Sequence, residues 1–237
     1  MIYQHRGADV SEVLARLHGN LRPETYLEIG TATGVSLRLA SCASIAVDPH
    51  FKLDADVVGA KPCCLLYQMP SDAFFAKHDP KQLLGATVGL AYLDGLHLFE
   101  VLLRDFINLE RYCRRNSVIV LHDCIPPYPE WAARKITSEG AWTGDVWKVP
   151  IILKRMRPDL KVYALDAAPT GVILITNLDG SSRLLAERYF DIIDEYRTLS
   201  LPQFGAAAFV EELQVRSVSD FGCFEDISSF FWTTGAL

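Results

Sequence analysis

The sequence has no long apolar run, no basic cluster and no metal-type cysteine pair. No apolar stretch approaches the length that crosses a bilayer, so we expect no membrane partner. No run of lysine and arginine exceeds two residues and the net charge is −6, which argues against a nucleic-acid partner. Residues 1–7 lack the apolar segment and cleavage signature of a secretory leader, so we expect a cytoplasmic protein.

The six cysteines are scattered along the chain without CxxC spacing. We expect reduced, mostly buried thiols rather than a disulfide framework. Half of the 237 residues are hydrophobic and 22% are charged, so the chain can bury a sizeable core. Its length fits one α/β domain with additions better than two independent domains.

Strand and helix signals alternate along most of the chain. Several strand candidates are continuous apolar runs, such as 117–121, which is typical of parallel strands covered on both faces. The alternation predicts an open, doubly wound α/β sheet. The predicted strands are 25–29, 44–48, 63–67, 87–93, 117–122, 160–165 and 171–176, and the predicted helices are 8–19, 34–41, 71–77, 97–113, 145–156 and 181–198.

The last two predicted strands are separated only by residues 166–170. Five residues cannot hold a helical crossover, so we predict a mostly parallel, seven-stranded sheet with a C-terminal antiparallel hairpin. The tail 204–237 is expected to pack either on the core or on a second subunit of a homo-oligomer. The predicted parts of the chain are an N-terminal helix in 1–22, a sheet domain at 23–178 with an insertion at 124–150, and a helical extension at 179–237.

Residues 26–34, Tyr-Leu-Glu-Ile-Gly-Thr-Ala-Thr-Gly, are the most informative segment. They read as a buried strand that ends at Glu28 and enters a turn with Gly30 and Gly34, where the backbone can approach a ligand without Cβ clashes. A helix after the turn would point free N–H groups into the same space. The spacing does not fit the dehydrogenase pattern G-x-G-x-x-G, because Ala32 occupies the second glycine position. The segment predicts a nucleotide-type ligand; the alternative is an ordinary tight loop.

Polar side chains also end the later strands. A carboxylate at Asp48 can accept both hydroxyls of a ribose, or can instead cap a turn. Ser71 and Asp72 follow the third strand as ligand contacts or as a helix N-cap. Asp94 ends the fourth strand, where open α/β sheets bind ligands, and His97 begins a long helix. An imidazole suits a general base because it titrates near neutrality; the alternative is that His97 only caps the helix.

These segments resemble class I S-adenosylmethionine-dependent methyltransferases over residues 24–177. The glycine segment is similar to the first motif of that class, and the Asp-Gly-x-His-x-aromatic-Glu string at 94–100 resembles the subfamily that includes macrolide sugar O-methyltransferases (methyltransferase domain family 24). The resemblance implies S-adenosylmethionine as the cofactor, a divalent cation held by Asp94, and His97 as general base. It places Glu28, Gly30 and Thr31 near the amino-acid half of the cofactor, Asp48 at the ribose, and Ser71 and Asp72 at the adenine, and it includes Gly34 among the cofactor-binding residues.

The fifth predicted strand departs from this subfamily. Metal-using relatives carry two adjacent acidic or amide residues at its end, where this chain has His122 and Asp123. Magnesium prefers oxygen ligands, whereas imidazole favours softer cations. We therefore expect Asp94, His122 and Asp123 to form a mixed metal site; the alternative is that no metal is needed and His122 acts as acid, base or substrate contact.

The insertion 124–150 is rich in proline and tryptophan and is expected to cover the pocket. Trp142 and Asp145 are its candidate substrate contacts; the alternative is that Asp145 caps a helix and Trp147 belongs to the core. The sequence thus predicts a methyltransferase that acts on a hydroxyl of a small acceptor such as a sugar. Two alternatives stay open: an NAD-type oxidoreductase, and a non-catalytic cofactor-binding module that assembles through its tail.

Overall fold

Eight strands form one mixed sheet in the computed structural model, which describes residues 1–136 and 141–221. The strands are β1 (Thr25–Ile29), β2 (Ala43–Val47), β3 (Cys64–Tyr67), β4 (Val88–Leu93), β5 (Cys113–His122), β6 (Lys161–Asp166), β7 (Val172–Thr176) and β8 (Arg216–Ser217). Their spatial order is β3-β2-β1-β4-β5-β7-β6-β8.

The first five strands run parallel, and β7 is antiparallel to both of its neighbours, β5 and β6. The hairpin of β6 and β7 pairs Leu165 with Val172, as the short loop between them predicts. The predicted mostly parallel sheet with a C-terminal antiparallel pair is confirmed. The eighth strand, β8, was not predicted because two residues carry no periodic signal; it lies parallel to β6 and ties the C-terminal extension to the sheet.

Helices and 3₁₀ turns cover both faces of the sheet, so each face has its own apolar core. Within β1 the residues alternate between the two cores: Leu27 and Ile29 pack on one side, and Tyr26 packs on the other. The helices are α1 (Val10–Leu21), α2 (Ser71–Lys77), α3 (Pro80–Leu84), α4 (Phe99–Glu110), α5 (Lys148–Met156), α6 (Leu184–Glu187), α7 (Tyr189–Tyr196), α8 (Leu201–Phe204) and α9 (Ala206–Leu213).

The helix predicted at 34–41 is wrong. Only a 3₁₀ turn at Leu37–Leu39 lies between β1 and β2, and Leu37 packs beneath Leu14 and Leu17 of α1 in the second core. The N-terminal helix therefore covers the face that a crossover helix would have covered. With one short turn after Gly34, the expected contribution of a helix dipole to ligand binding is absent at this junction.

Three further differences concern the ends of the chain and the thiols. The helix predicted at 181–198 is broken into α6 and α7, and helices α3, α8 and α9 were not predicted. The described part of the tail packs on the core, where Phe209 meets Trp147, while 222–237, including Cys223, lie outside the described residues. The five described cysteines are free, but only Cys124 is buried and the other four are partly exposed. None of the helices in 1–136 and 141–221 has both the length and the apolar character required to span a bilayer.

Candidate active site

A cavity lies where β1, β2 and β4 end. Gly30 follows β1 directly with φ +85°, and a Cβ atom there would lie 2.0 Å from the carbonyl oxygen of Asp94. The turn after β1 is thus pressed against the end of β4, and only glycine fits at this position. The cavity has a volume of about 520 Å³, within the ~300–1,000 Å³ that is usual for small-molecule sites.

Five of the eight predicted cofactor residues line this cavity. They come from four separate strand ends, which are neighbours because parallel strands place their carboxyl ends at one edge of the sheet. The five are Gly30, Asp48, Ser71, Asp72 and Asp94.

Asp48 has the position expected of a ribose-binding carboxylate and also caps two turns. Its Oδ2 accepts a hydrogen bond of 2.8 Å from the backbone N–H of Ala32, and its Oδ1 accepts one of 2.6 Å from that of His50. Each carboxylate oxygen can accept a second hydrogen bond. The two interpretations of Asp48 are therefore compatible, and its contact with a ribose stays a prediction.

An ion pair between two helices forms part of the cavity wall. Asp72 of α2 accepts two hydrogen bonds of 2.5 Å from the guanidinium of Arg104 on α4. Pro70 occupies the N-cap position of α2, so neither Ser71 nor Asp72 is the N-cap that the alternative interpretation required. Both residues line the cavity, and Asp72 also binds α4.

Glu28, Thr31 and Gly34 are not among the cavity-lining residues. The Glu28 side chain is fully buried beneath the turn, where its Oε2 accepts a 2.6 Å hydrogen bond from the Tyr26 hydroxyl. Burial raises the pKa of Glu28 to about 7, although the Tyr26 hydrogen bond partly offsets the effect. The predicted contacts of these three residues with a cofactor stay predictions.

A second polar cluster adjoins the cavity through Asp94. His97 Nε2 lies 3.2 Å from Asp123 Oδ2 and 3.7 Å from Asp94 Oδ1, and one donor atom from each of the three residues lies within 4.8 Å of the others. Burial acts to lower the pKa of His97, but the two carboxylates and a hydrogen bond to the Trp142 carbonyl raise it above its usual value. Two acids and one imidazole nitrogen thus converge on one point.

Both ring nitrogens of His122 have hydrogen-bond partners beside this cluster, and its predicted role in the chemistry stays a prediction. Its Nδ1 lies 3.0 Å from Asp94 Oδ1, and its Nε2 lies 3.3 Å from the Thr170 hydroxyl oxygen. Because that hydroxyl donates its hydrogen to Asp123 at 2.6 Å, both nitrogens of His122 are donors. Burial opposes the charge, yet Asp94 raises the pKa of His122 to about 9. The group of three possible metal ligands contains His97 in place of the predicted His122, together with Asp94 and Asp123.

Comparison with known proteins supports a methyltransferase. No curated protein matches the chain by sequence. Residues 27–124 match a family model described as a methyltransferase domain, and this range includes both the glycine turn and the Asp94–His97 segment. The solved structures that share the fold include methyltransferases with bound cofactor. The fold is that of a class I methyltransferase.

Three of these structures illustrate the likeness. A cofactor-bound protein from MTB is 18% identical, with a TM-score of 0.54 over 70% of this chain and 78% of that one. The O-methyltransferase TomG from Streptomyces achromogenes, in complex with SAM, is 14% identical, with a TM-score of 0.53 over 70% of this chain and 78% of that one. An O-methyltransferase from Bacillus cereus, in complex with SAH, is 12% identical, with a TM-score of 0.53 over 75% of this chain and 84% of that one.

In this methyltransferase fold the insertion at 124–150 contacts His97 through Trp142 and Gly144. His97 Nδ1 donates a 2.8 Å hydrogen bond to the carbonyl of Trp142, and the two rings lie 5.4 Å apart. Gly144 has φ +60°, and a Cβ atom there would lie 1.8 Å from the His97 carbonyl oxygen. The insertion therefore packs on the backbone and ring of His97, and none of the residues 124–136 and 141–150 lines the cavity that it was expected to cover.

Asp145 is a structural acid in the methyltransferase fold rather than the exposed substrate contact that the sequence predicted. It is 2% exposed, and its Oδ1 accepts a 3.0 Å hydrogen bond from the backbone N–H of Phe99 at the start of α4. Its Oδ2 accepts from Lys148 at 2.8 Å and from Arg134 at 3.1 Å. Arg134 also binds Glu100. The alternative that made Trp147 a core residue is confirmed by its 1% exposure.

Sequence reasoning missed the cavity wall that α4 provides. Val101, Arg104 and Asp105 of α4 all line the cavity, although they lie beyond the strand-end motif, and Leu96 within that motif lines it too. One signal was present in the sequence: Asp105 falls between Leu102 and Leu109 on the buried face of an amphipathic helix. A charged residue at an apolar position is a marker of a buried polar contact.

Proposed function

We propose that this protein is an S-adenosylmethionine-dependent O-methyltransferase that acts on a sugar or another small hydroxylated acceptor. The observation that carries the proposal is the continuity between the strand-end cavity and the cluster of Asp94, His97 and Asp123. A donor site and a proton-accepting group are thereby adjacent, which methyl transfer to a hydroxyl requires. The O-methyltransferase names of two structural neighbours and the 94–100 string support oxygen as the accepting atom.

The cavity residues fit an S-adenosyl ligand. The volume of the cavity is that of a small-molecule site, Gly30 keeps the turn free of a Cβ atom, and Asp48 presents a carboxylate at the end of β2. S-adenosylmethionine, when bound, supplies a methyl group activated by a sulfonium. The contribution of the protein is then to hold the acceptor oxygen in line with that methyl group and to remove its proton.

His97 is the proton acceptor in this proposal. Because Nδ1–H donates to the Trp142 carbonyl, the neutral ring carries its lone pair on Nε2, which faces the side of Asp94 and Asp123. The carboxylates stabilise the imidazolium that forms when Nε2 takes the acceptor proton. Packing of Gly144 on the His97 backbone and the Trp142 hydrogen bond fix the ring for that role.

The same three residues also fit a divalent cation. Asp94, His97 and Asp123 offer two oxygens and one nitrogen, and the ring hydrogen bond to Trp142 is the type of outer contact that orients metal-bound histidines. The mixed donor set favours a cation softer than magnesium. Such a cation would lower the pKa of an acceptor hydroxyl. Nε2 cannot hold a cation and accept a proton at once, so metal content decides between the two roles of His97.

Native mass spectrometry and elemental analysis of one purified sample test the cofactor and the metal together. We expect bound S-adenosylhomocysteine or S-adenosylmethionine, because the cavity is formed before a ligand enters. Tightly bound NAD would overturn the assignment in favour of an oxidoreductase. Cofactor binding without methyl transfer to any hydroxylated acceptor would favour the non-catalytic module.

Replacing His97 by glutamine tests the base. We expect methyl transfer to fall by about 100-fold or more, which is the usual contribution of a general base, while the dissociation constant of S-adenosylhomocysteine stays unchanged. His78→Gln is the matched control, because His78 packs on Tyr67 away from the cluster. An unchanged rate in His97→Gln, or a stoichiometric metal that only this variant loses, would contradict the base role.

A further inference from the structure

Asp105 is a buried acid in the cavity wall that the proposed chemistry does not use. It is 1% exposed, and among residues 1–136 and 141–221 its Oδ1 has no hydrogen-bond partner. A buried polar atom without a partner costs about 1–3 kcal/mol of stability. Among the described residues, neither a helix cap nor an ion pair accounts for a buried acid at this position. Asp105 is instead one of the residues that line the cavity.

The position of Asp105 indicates which part of a ligand it meets. Its side chain lies between two cavity-lining segments: a Cβ atom on Gly95 would be 3.7 Å from Asp105 Oδ2, and Ser71 lies on the other side at the start of α2. Asp72 and Arg104, the chain neighbours of Ser71 and Asp105, form an ion pair and also line the cavity. The His97 cluster adjoins the cavity at Asp94 and His97 itself does not line the cavity, so a ligand whose reacting group reaches His97 meets Asp105 with another part.

We propose that the carboxyl group of Asp105 recognises the adenine base of the S-adenosyl ligand, through its amino group and the adjacent ring nitrogen. The proposal rests on the proposed function, because the cavity must hold an adenosyl group. It assigns Asp105 as a specificity-determining residue of the donor site, beyond Ser71 and Asp72.

The chemistry of a neutral carboxyl group matches that edge of adenine. Burial raises the pKa of Asp105 to about 7; the Ser71 hydroxyl and the charge of Arg104 oppose the shift, and the charge of Asp72 adds to it. A protonated carboxyl has one donor and one acceptor side by side. The adenine edge offers an amino donor beside a ring-nitrogen acceptor, the pattern that asparagine also pairs with. A carboxylate would accept from the amino group but would repel the ring nitrogen.

A double-mutant-type cycle, in which one change is made in the ligand and the other in Asp105, tests the proposal. The probes are S-adenosylhomocysteine and its purine analogue without the 6-amino group, measured by calorimetry against wild type, Asp105→Asn and Asp105→Leu. In wild type and Asp105→Asn we expect the amino group to tighten binding by about 10- to 100-fold, the range of a paired base edge. In Asp105→Leu the two ligands should bind almost equally. Thermal unfolding should show that both variants fold, because both replacements have a similar size and Asp105→Leu gives up only the interaction with Ser71.

The pH dependence provides a second readout. In wild type the affinity for S-adenosylhomocysteine should be constant below about pH 7 and fall above it as Asp105 loses its proton, and in Asp105→Asn this decrease should be absent. If Asp105→Leu keeps the full preference for the amino group, the inference is overturned while the proposed function stands. If wild type binds neither ligand, the proposed function itself fails.

Discussion

Replacing Glu28 by glutamine should remove part of the pH dependence of the unfolding free energy. Glu28 lies beneath the glycine turn with its side chain fully buried, and among the described residues its Oε1 has no hydrogen-bond partner. Burial raises its pKa from 4.5 to about 7. The folded protein therefore keeps a proton on Glu28 at pH values where the unfolded chain has already released it.

The magnitude follows from the size of that change. Each pH unit between the two pKa values corresponds to about 1.4 kcal/mol, so ionised Glu28 destabilises the folded state by about 3 kcal/mol relative to neutral Glu28. For a raised acid pKa, the favourable contribution is complete below pH 4.5 and is lost as the pH rises through about 7. Glutamine cannot ionise, and its amide oxygen can still accept from Tyr26.

Urea denaturation of ligand-free protein between pH 4 and pH 8 measures the effect. We expect the unfolding free energy of Glu28→Gln, relative to that of wild type at the same pH, to increase by about 3 kcal/mol as the pH rises from 4 to 8. The matched control is Glu24→Gln, the same exchange at an exposed side chain of the neighbouring loop, which should change stability by less than about 0.5 kcal/mol. A difference between Glu28→Gln and wild type that does not vary with pH would refute the reasoning, because the acid would then be ionised in the folded protein without penalty.

Two further predictions concern the charges around the site. Asp145→Ala should lower the unfolding free energy by about 3–5 kcal/mol, since it leaves Lys148 buried and unpaired; adding Lys148→Met should restore more than half of the loss in a urea titration, and no restoration would show that the cap on Phe99 dominates. Asp48→Ala should weaken S-adenosylhomocysteine binding by about 10-fold or more, the value of hydrogen bonds to a charged group, with the thermal unfolding midpoint nearly unchanged. Equal dissociation constants for wild type and Asp48→Ala would contradict the ribose contact.

The strands and the hairpin could be predicted because their signals are local. A parallel strand covered on both faces is a continuous apolar run, and all five residues of β1 are indeed buried. The five-residue separation of β6 and β7 excludes a crossover whatever the rest of the chain does. The helix at 34–41 was wrong because its periodicity is also local, whereas the space that it would have filled is taken by α1 from another part of the chain.

The site divides in the same way. Gly30, Asp48 and Asp94 were found because each ends a parallel strand, and such ends meet at one edge of the sheet. The group of possible metal ligands contains His97 where the sequence predicted His122, because the positions of the two rings depend on partners remote in sequence. His97 is held by Trp142, 45 positions away, and His122 by Thr170, 48 positions away.

Residue order alone therefore determined the sheet, its antiparallel closure and the strand ends that face the cavity, because apolar periodicity and loop length act over short stretches of chain. Tertiary structure decided which imidazole joins Asp94 and Asp123 in the group of possible metal ligands and which acid of α4 joins the cavity wall. Those properties depend on burial and on hydrogen bonds between distant segments, which exist only after the chain has folded.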